Sequence, residues 1–210
     1  MRRILVTLVI LAGLYVAADL GGRAAAQAQV AASLQTSLEL SKKPDVSLGG
    51  FPFLPAAIGG HLDTVVLVGA NLSAGGQPLR NVRLTLRDVR FSATDLVFGR
   101  DTSVRFRSSD GVAEMTGADV TAALEEANID AEVRLEGGLA HVSVAGLPEV
   151  RVDVVVDDNV LTLRPAGVPL PLRLRVDLSD LVPDIRCREG HVNGSLLEIS
   201  FTLSRTRFDI

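Results

Sequence analysis

The chain has 210 residues, of which 47% are hydrophobic, so one domain of ordinary size with a sizeable core is expected. Its formal net charge is −4, only 4% of its residues are aromatic, and tryptophan is absent. An acidic chain is a poor general ligand for polyanions, and sugar or base stacking usually uses Trp or Tyr platforms. Nucleic-acid binding and direct sugar stacking are therefore disfavoured. The single cysteine, Cys187, excludes an intramolecular disulfide.

The N-terminus has the layout of an export signal. Arg2-Arg3 forms a short basic region, and the run from Ile4 to Ala18 is almost entirely apolar. This run is shorter than the roughly 20 residues of a membrane span but within the range of a signal h-region. Small-residue cleavage sites then end at Ala26 and Ala28. The pattern predicts a signal peptide cleaved after one of these two alanines.

A leader over residues 1–26 leaves a single domain over residues 27–210. The alternative is that the leader is retained as an N-terminal anchor. Both readings predict an exported protein of the periplasm or cell envelope, with association to the membrane surface. The oligomeric state is not determined by these patterns.

A short helix is predicted directly after the leader. The stretch from Gln29 to Leu40 contains neither Gly nor Pro, and Val30, Leu34 and Leu38 recur every four residues. Spacing of this kind forms one apolar stripe on a helix. Pro44 prevents its continuation. We expect this helix to pack on a sheet.

An apolar knot follows a short strand-like run. It contains Phe51, Phe53, Leu54 and Ile58 and is interrupted by two prolines. Proline removes a backbone donor and restricts φ, so the knot cannot continue a central strand. Its apolar side chains therefore either plug a core or line an apolar opening.

The chain resembles the LmeA family of actinobacterial periplasmic phospholipid-binding proteins. The resemblance lies in the export signal, the following helix, the valine-rich strand and a pattern P-x-V-x-L-x-G-F-P-F-L. The residues that carry this pattern are Pro44, Val46, Leu48, Gly50, Phe51, Pro52, Phe53 and Leu54. The resemblance implies an elongated α+β body related to tubular lipid-binding (TULIP) folds. It also implies binding of phosphoinositide-type lipids and support of mannan lipid elongation.

Beyond the knot the sequence reads mainly as strands. Val82, Leu84 and Leu86 alternate with polar residues, but the apolar parity changes before Val89. A β-bulge near Arg87-Asp88 would restore the inward face. Such alternation is typical of antiparallel strands with one solvated face.

A second helix and two tight turns complete the prediction. Asp119–Asn128 is predicted to be helical, with Thr116 as its N-cap. Gly137-Gly138 predicts a two-residue hairpin, and Asp157-Asp158-Asn159 predicts another turn. The predicted fold class is α+β, with a long curved antiparallel β-sheet wrapped on one or two helices.

No pattern indicates catalysis or a bound metal. Cys187, Glu189 and His191 form only a loose grouping, which is weak evidence for zinc. Asp157-Asp158 reads better as a turn than as a carboxylate pair or a calcium site. The sequence lacks the G-x-S-x-G motif of lipases. A non-enzymatic protein without cofactors is therefore expected.

Two groups of side chains are candidates for lipid contact. The predicted apolar lining consists of Phe51, Phe53, Leu54, Ile58, Phe91, Phe98 and Phe106. From the residues alone, a filled core is the competing interpretation of this group. A buried methylene contributes about 0.8 kcal/mol, so an acyl chain of about 16 carbons contributes on the order of 12 kcal/mol before ordering costs.

The second group is an arginine cluster that matches an anionic headgroup. Its members are Arg80, Arg83, Arg87, Arg90 and Arg105, with Arg107 nearby. The planar guanidinium group matches phosphate oxygens, whereas an ordinary solvated strand face is the competing interpretation.

The predicted function is an exported, non-enzymatic phospholipid-binding protein. Its expected partners are acyl chains, an anionic headgroup of the phosphoinositide kind and the membrane surface, and its expected role is in cell-envelope lipoglycan (mannan) biosynthesis. The alternative is a structural envelope module that binds a protein partner through a sheet edge or the phenylalanine knot. An enzyme acting on lipid-linked mannan is a third hypothesis, but it lacks a carboxylate pair or metal site.

Overall fold

The computed structural model describes residues 2–37, 40, 42–70, 72–74, 77–97, 103–126, 130–144, 149–165, 174–177 and 184–209. Fourteen strands and four helices form within these ranges. The helices are α1 (Arg2–Ser37), α2 (Phe53–Ile58), α3 (Ala93–Val97) and α4 (Gly117–Glu126). The strands are β1 (Asp45–Leu48), β2 (His61–Gly69), β3 (Leu72–Ala74), β4 (Gln77–Arg90), β5 (Ser103–Arg105), β6 (Ser108–Thr116), β7 (Ala131–Glu136), β8 (Leu139–Val144), β9 (Val150–Asp157), β10 (Val160–Pro165), β11 (Leu174–Asp177), β12 (Ile185–Asn193), β13 (Leu196–Leu203) and β14 (Arg207–Asp209).

The strands form one large antiparallel sheet. Its main path runs β1-β2-β4-β6-β13-β12-β9-β10-β11. At one end of β4 the sheet is extended by β5 and β14, while β7 and β8 join it through β9. Helices α1 and α2 pack against β1 and β2, and α4 packs against β7. The predicted α+β fold, a long curved antiparallel sheet wrapped on helices, is confirmed.

Two buried apolar clusters form the core. The first lies beneath α1 and α2 and consists of Leu48, Phe53, Leu62, Val65, Val89 and Phe106. The second lies beneath α4 and consists of Met115, Val133, Leu135, Ala140, Val152, Val154 and Leu197. Leu84 pairs with Gly111, and side chains at directly opposed positions share a face. Every second residue of a strand faces the same side. Leu86, which packs against the first cluster, and Met115 of the second cluster therefore lie on the same face of the sheet as Leu84 and Gly111.

The predicted change of parity in β4 occurs at Asp88, but its geometry differs from the expected bulge. Leu86 and Val89 both pack in the α1/α2 cluster although they are an odd number of residues apart. Asp88 adopts a left-handed backbone with φ of 52°, which aspartate tolerates better than most residues. The pairing with β2 keeps one register on both sides of Asp88. The register shift in β4 lies instead against β6, between Arg80 and Arg83.

Helix α1 is much longer than the sequence pattern predicts. The predicted segment from Gln29 forms only its C-terminal part, because the apolar leader continues into it as one helix. No proline interrupts residues 2–37, and the single-residue cost of glycine is tolerated at Gly21 and Gly22. A Cβ atom on Gly22 would lie 2.7 Å from Cδ2 of Leu54, so glycine here permits close packing of α1 against α2.

The N-terminus of α4 carries the predicted cap at Thr116, and Asp119 caps it reciprocally. The Asp119 backbone N–H donates to Oγ1 of Thr116 (3.3 Å), and the Thr116 backbone N–H donates to Oδ2 of Asp119 (2.8 Å). Nε of Arg80 donates to the same carboxylate oxygen at 2.9 Å. With Thr116 as N-cap, the helix begins at Gly117, two residues before the predicted start. The last two predicted helical residues, 127 and 128, lie outside the described residues.

Replacing Asp119 with alanine is expected to lower the free energy of unfolding by about 1–2 kcal/mol, because it removes this cap. Burial by itself raises the pKa of Asp119, but hydrogen bonds from Thr116 and Arg80 outweigh it and hold the pKa below its ordinary value. The stabilisation is therefore complete above the unfolded-state pKa of about 3.9 and is lost as pH falls through the folded-state pKa. Urea denaturation at neutral and acidic pH measures both effects. Asp153→Ala, at an exposed site on β9, is the control, and an equal loss there would contradict this account.

Both predicted tight turns are confirmed. Gly137 and Gly138, with φ of 60° and 82°, connect β7 to β8. Asp158 and Asn159, with φ of 45° and 66°, connect β9 to β10. Two successive residues with positive φ match the right-handed twist of the flanking strands.

Candidate functional site

One apolar position from each of five strands forms a row across the sheet. The row contains Leu67, Leu84, Gly111, Phe201 and Cys187, from β2, β4, β6, β13 and β12. Because directly opposed residues share a face, the row lies on the face that carries both apolar clusters. It thus gives this face a continuous apolar path between them.

The phenylalanine in this row depends on a glycine opposite it. A Cβ atom on Gly111 would lie only 2.3 Å from Cζ of Phe201, so the ring occupies the space where a side chain would be. Gly190 has the same relation to Val156, with 2.8 Å from the Cβ position to Cγ2. Glycine inside a strand commonly marks such a close approach. These glycines allow large side chains to lie close against the backbone of the neighbouring strand.

We define the apolar strip as the inward-facing positions of three central strands between the two clusters. These positions are Val82, Leu84, Gly111, Ala113, Ile199 and Phe201. Val82 and Leu84 are half-buried and, among the described residues, belong to neither cluster. Partly exposed aliphatic side chains on this face are suited to hydrocarbon, since removing apolar surface from water is favourable at about 25 cal/mol per Å².

Most of the described members of the predicted apolar lining lie within the first cluster. Phe53 and Phe106 are buried, with 3% and 4% of their surfaces exposed. Leu54 and Phe91 are half-buried and pack against the same cluster. These four side chains therefore help to form the core beneath α1 and α2.

The remaining members of the predicted lining lie elsewhere. Phe51 precedes α2 and is 70% exposed, whereas Ile58 is the last residue of α2 and is 77% exposed. Phe98 lies outside the described residues. Large apolar side chains exposed near both ends of a short helix are candidates for a contact surface.

A buried carboxylate in α1 caps α2 from a distance. Asp19 is 1% exposed and accepts hydrogen bonds from the backbone N–H groups of Phe53 (2.9 Å) and Leu54 (2.7 Å). The N-cap residue Pro52 makes no side-chain cap of its own. The first N–H groups of a helix have no partner within the helix, so Asp19 supplies acceptors that α2 lacks. The N-terminal helix is thereby tied to the body of the protein.

The predicted headgroup arginines lie mainly on the other face of the sheet. Arg83 and Arg87 alternate with inward-facing Leu84 and Leu86 and therefore face outward. Four of the five predicted arginines lie on this outer face, and all four are exposed. These are Arg83, Arg87, Arg90 and Arg105. Arg80 is held by the cap of α4 instead. Nη1 of Arg87 lies 3.4 Å from Oδ2 of Asp110.

Asp88 is the shared partner of several cations on this outer face. Its Oδ1 atom lies 3.1 Å from Nε of Arg90 and 3.2 Å from Nε2 of His61. Its Oδ2 atom lies 2.8 Å from Nη2 of Arg107. The hydrogen bond from Arg90 and the nearby charges of Arg107 and His61 hold the pKa of Asp88 below its usual range, although desolvation opposes this shift. One carboxylate thus forms ion pairs with three basic side chains.

A groove of about 260 Å³ opens between α1 and the start of β1. It is lined by Gln27, Ala28, Ala31 and the segment from Lys43 to Val46. Its mixed polar and apolar lining is less suited to acyl chains than the apolar strip.

Burial raises the pKa of the Cys187 thiol, which keeps it protonated at neutral pH. Within the described residues, no group of three or more His, Cys, Asp or Glu side chains is arranged to hold a metal ion.

Sequence reasoning missed two features of this region. It assigned Asp19 to a removable leader, although a charged residue at the end of an apolar run was a signal that this position is special. It also did not identify the row through Leu84, because the partners of a strand residue depend on sheet register. The glycine in β6 was a usable hint, since Gly111 interrupts an otherwise regular strand.

Comparison with known families gives one result. The family model described as LmeA-like phospholipid-binding matches residues 17–197. The matched region begins just before Asp19 and includes four of the six positions of the apolar strip, those from Val82 to Ala113. No curated protein and no solved structure matches the chain. No helix in the described part of the chain has the length and hydropathy of a transmembrane span.

Proposed function

Because the chain belongs to the LmeA-like phospholipid-binding family, we propose that it is an exported, non-enzymatic carrier or holder of anionic phospholipid. Membership of this family makes it a lipid-binding protein. The acyl chains lie on the apolar strip between the α1/α2 cluster and α4. The observation that carries this assignment is the half-buried Leu84 at the centre of a continuous apolar row.

Specificity for anionic lipids, including phosphatidylinositol, is proposed to act at the membrane surface, through the exposed arginines of the outer face, because these arginines lie across the sheet from the apolar strip. The guanidinium group binds phosphate oxygens through paired N–H donors. Arg83 and Arg105 have no carboxylate partner among the described residues, so their charge is available to a ligand. We also propose a role in cell-envelope lipoglycan (mannan) biosynthesis, which the resemblance to this family supports. Binding without catalysis suffices for this role, since a supplied or sequestered lipid is chemically unchanged.

The test is the lipid content of the full-length protein. We expect phospholipid to co-purify with the chain in mild detergent and to appear in native mass spectra as a discrete added mass. Vesicle co-sedimentation should favour phosphatidylinositol over phosphatidylcholine. Lipid-free protein that binds neither kind of vesicle would overturn the proposal. A specific protein partner recovered by crosslinking would then favour an interaction module.

A further inference from the structure

Four basic side chains form a row across four neighbouring strands on the outer face. His61 of β2 pairs with Arg90 of β4, Arg90 pairs with Arg105 of β5, and Arg105 pairs with Arg207 of β14. Neighbouring strands lie about 4.8 Å apart, so the row extends over about 14 Å. We call these four residues the basic row. Its members point to the same side because directly opposed residues share a face.

The basic row concentrates positive charge on an acidic chain. Like charges at directly opposed positions destabilise a sheet, so this arrangement has an electrostatic cost that an anion relieves. Asp88 contacts His61 and Arg90. Arg105, at the centre of the row, has no carboxylate partner among the described residues. With a net charge of −4 for the whole chain, attraction to anions is local to this surface.

Exposed apolar side chains lie at the same end of the sheet. Helix α2 ends at Ile58, three residues before His61, and the Gly60 carbonyl accepts a hydrogen bond from the Phe91 N–H at 2.9 Å. Phe51 lies two residues after Gly49, whose N–H donates to the carbonyl of Thr64 in β2. Both exposed side chains, Phe51 and Ile58, are therefore close to the strand ends that carry the basic row.

The N-terminal helix leaves the body at this end as well. Its C-terminal part lies beside the start of β1 at Asp45, whereas Asp19 lies at α2. The helix therefore runs antiparallel to β1 and continues past α2. Residues before Asp19 carry exposed apolar side chains on several sides, among them Leu11 and Leu14, at 57% and 62% exposure. A helix that is apolar all round normally lies in a core or a membrane.

We propose that this end of the sheet docks on an anionic bilayer surface. The basic row contacts lipid phosphates, Phe51 and Ile58 enter the boundary between headgroups and acyl chains, and the apolar helix lies in the bilayer beside them. Arginines combined with exposed apolar side chains match the two layers of a membrane interface better than they match a free phosphate ion. This docking surface rests on the proposed lipid-binding function and gives it an orientation.

Vesicle co-sedimentation of two matched triple variants of the full chain tests the basic row. The first replaces Arg90, Arg105 and Arg207 with glutamine, and the second replaces three exposed arginines on distant strands. The distant residues are Arg151, Arg164 and Arg188. Both variants change the net charge equally and keep the N-terminal helix. On vesicles of phosphatidylcholine with phosphatidylglycerol, we expect the first variant to bind at least about tenfold more weakly than the second, because each arginine near an anionic surface contributes to binding. Equal binding of the two variants overturns the proposal.

A fluorescent reporter tests the orientation independently. Since the chain has no tryptophan, Phe51→Trp introduces a single indole at the proposed contact. Val150→Trp, at an exposed apolar position of β9, is the matched control. Brominated lipids in the same vesicles should quench the fluorescence of the first variant and not that of the second. Quenching of both tryptophan variants, or of neither, overturns the docking surface. This test does not depend on the folding of the triple variants.

Different results would contradict the proposed function and the docking surface. Wild-type protein that carries no phospholipid in native mass spectra contradicts the proposed function, whatever the vesicle results. Wild-type protein that carries phospholipid, with no difference between the two triple variants, contradicts only the docking surface.

Discussion

Replacing Asp19 with alanine should lower the free energy of unfolding by about 2–4 kcal/mol, the larger of the expected effects on stability. The carboxylate is 1% exposed and accepts from two backbone N–H groups, those of Phe53 and Leu54. Its removal leaves one buried and one partly buried N–H donor without an acceptor at the start of α2. Because Phe53 belongs to the first core cluster, loosening of α2 also disturbs that core.

Denaturant unfolding of the full chain in mild detergent measures this loss. Asp19→Asn keeps one acceptor oxygen and should lose about half as much stability. Asp45→Ala, at an exposed position close to α1, is the control and should change stability by less than about 0.5 kcal/mol. A loss after Asp19→Ala no greater than that of the control would mean that the cap does not stabilise α2.

The same contact bears on how the N-terminus is processed. Cleavage after Ala26 or Ala28, as the sequence predicts, would remove Asp19 and with it the cap. We therefore expect a chain beginning at Asp19 to be as stable as the full chain, and a chain beginning at Gln27 to be weakened like Asp19→Ala. The mass of the protein extracted from the cell envelope tests the retained-anchor alternative, which requires Asp19 to be present.

Replacing Leu84 with glutamine should reduce the amount of bound phospholipid by roughly 5- to 150-fold. An amide without a hydrogen-bond partner costs about 1–3 kcal/mol when it is buried under hydrocarbon. Leu84 is half-buried at the centre of the apolar strip, so bound acyl chains would cover it. The side chain is not part of either core cluster as described, and the loss of stability should therefore be smaller than the loss of binding.

Thr85→Gln is the matched control, one residue away on the outer face of the same strand. Phospholipid bound per chain is measured by lipid extraction and native mass spectrometry, with denaturant unfolding in parallel. Equal lipid content in the two variants, with both folded, would show that acyl chains do not lie on the apolar strip. Reduced lipid content in both would point to an effect of the strand rather than of its inner face.

The predicted elements were most accurate where the chemistry is local. The cap formed by Thr116 and Asp119, the hairpin at Gly137-Gly138 and the turn before Val160 all depend on residues adjacent in the chain. The predicted helix at Gln29 had the right type but the wrong start, because the leader was treated as a separate unit. Its contact to α2 spans 34 residues and is invisible to a periodic pattern.

The candidate site was predictable only in part, for a related reason. Apolar positions of β4 were recognisable from their alternation, but Leu84 acquires its neighbours from the pairing of five strands. The phenylalanines looked equivalent in the sequence, yet Phe53 is buried and Phe51 is exposed. Arg80 and Arg83 also looked equivalent, yet the first is held by Asp119 and the second faces solvent.

By itself, the sequence determined the α+β class, the family and the aliphatic, tryptophan-free character of the chain, because composition, alternation and local turn chemistry are properties of adjacent residues. Only the tertiary structure decided that His61, Arg90, Arg105 and Arg207 form one row and that Asp19 closes α2. These arrangements depend on strand register and on contacts between distant segments, and a shift of one residue in pairing would have reversed every face.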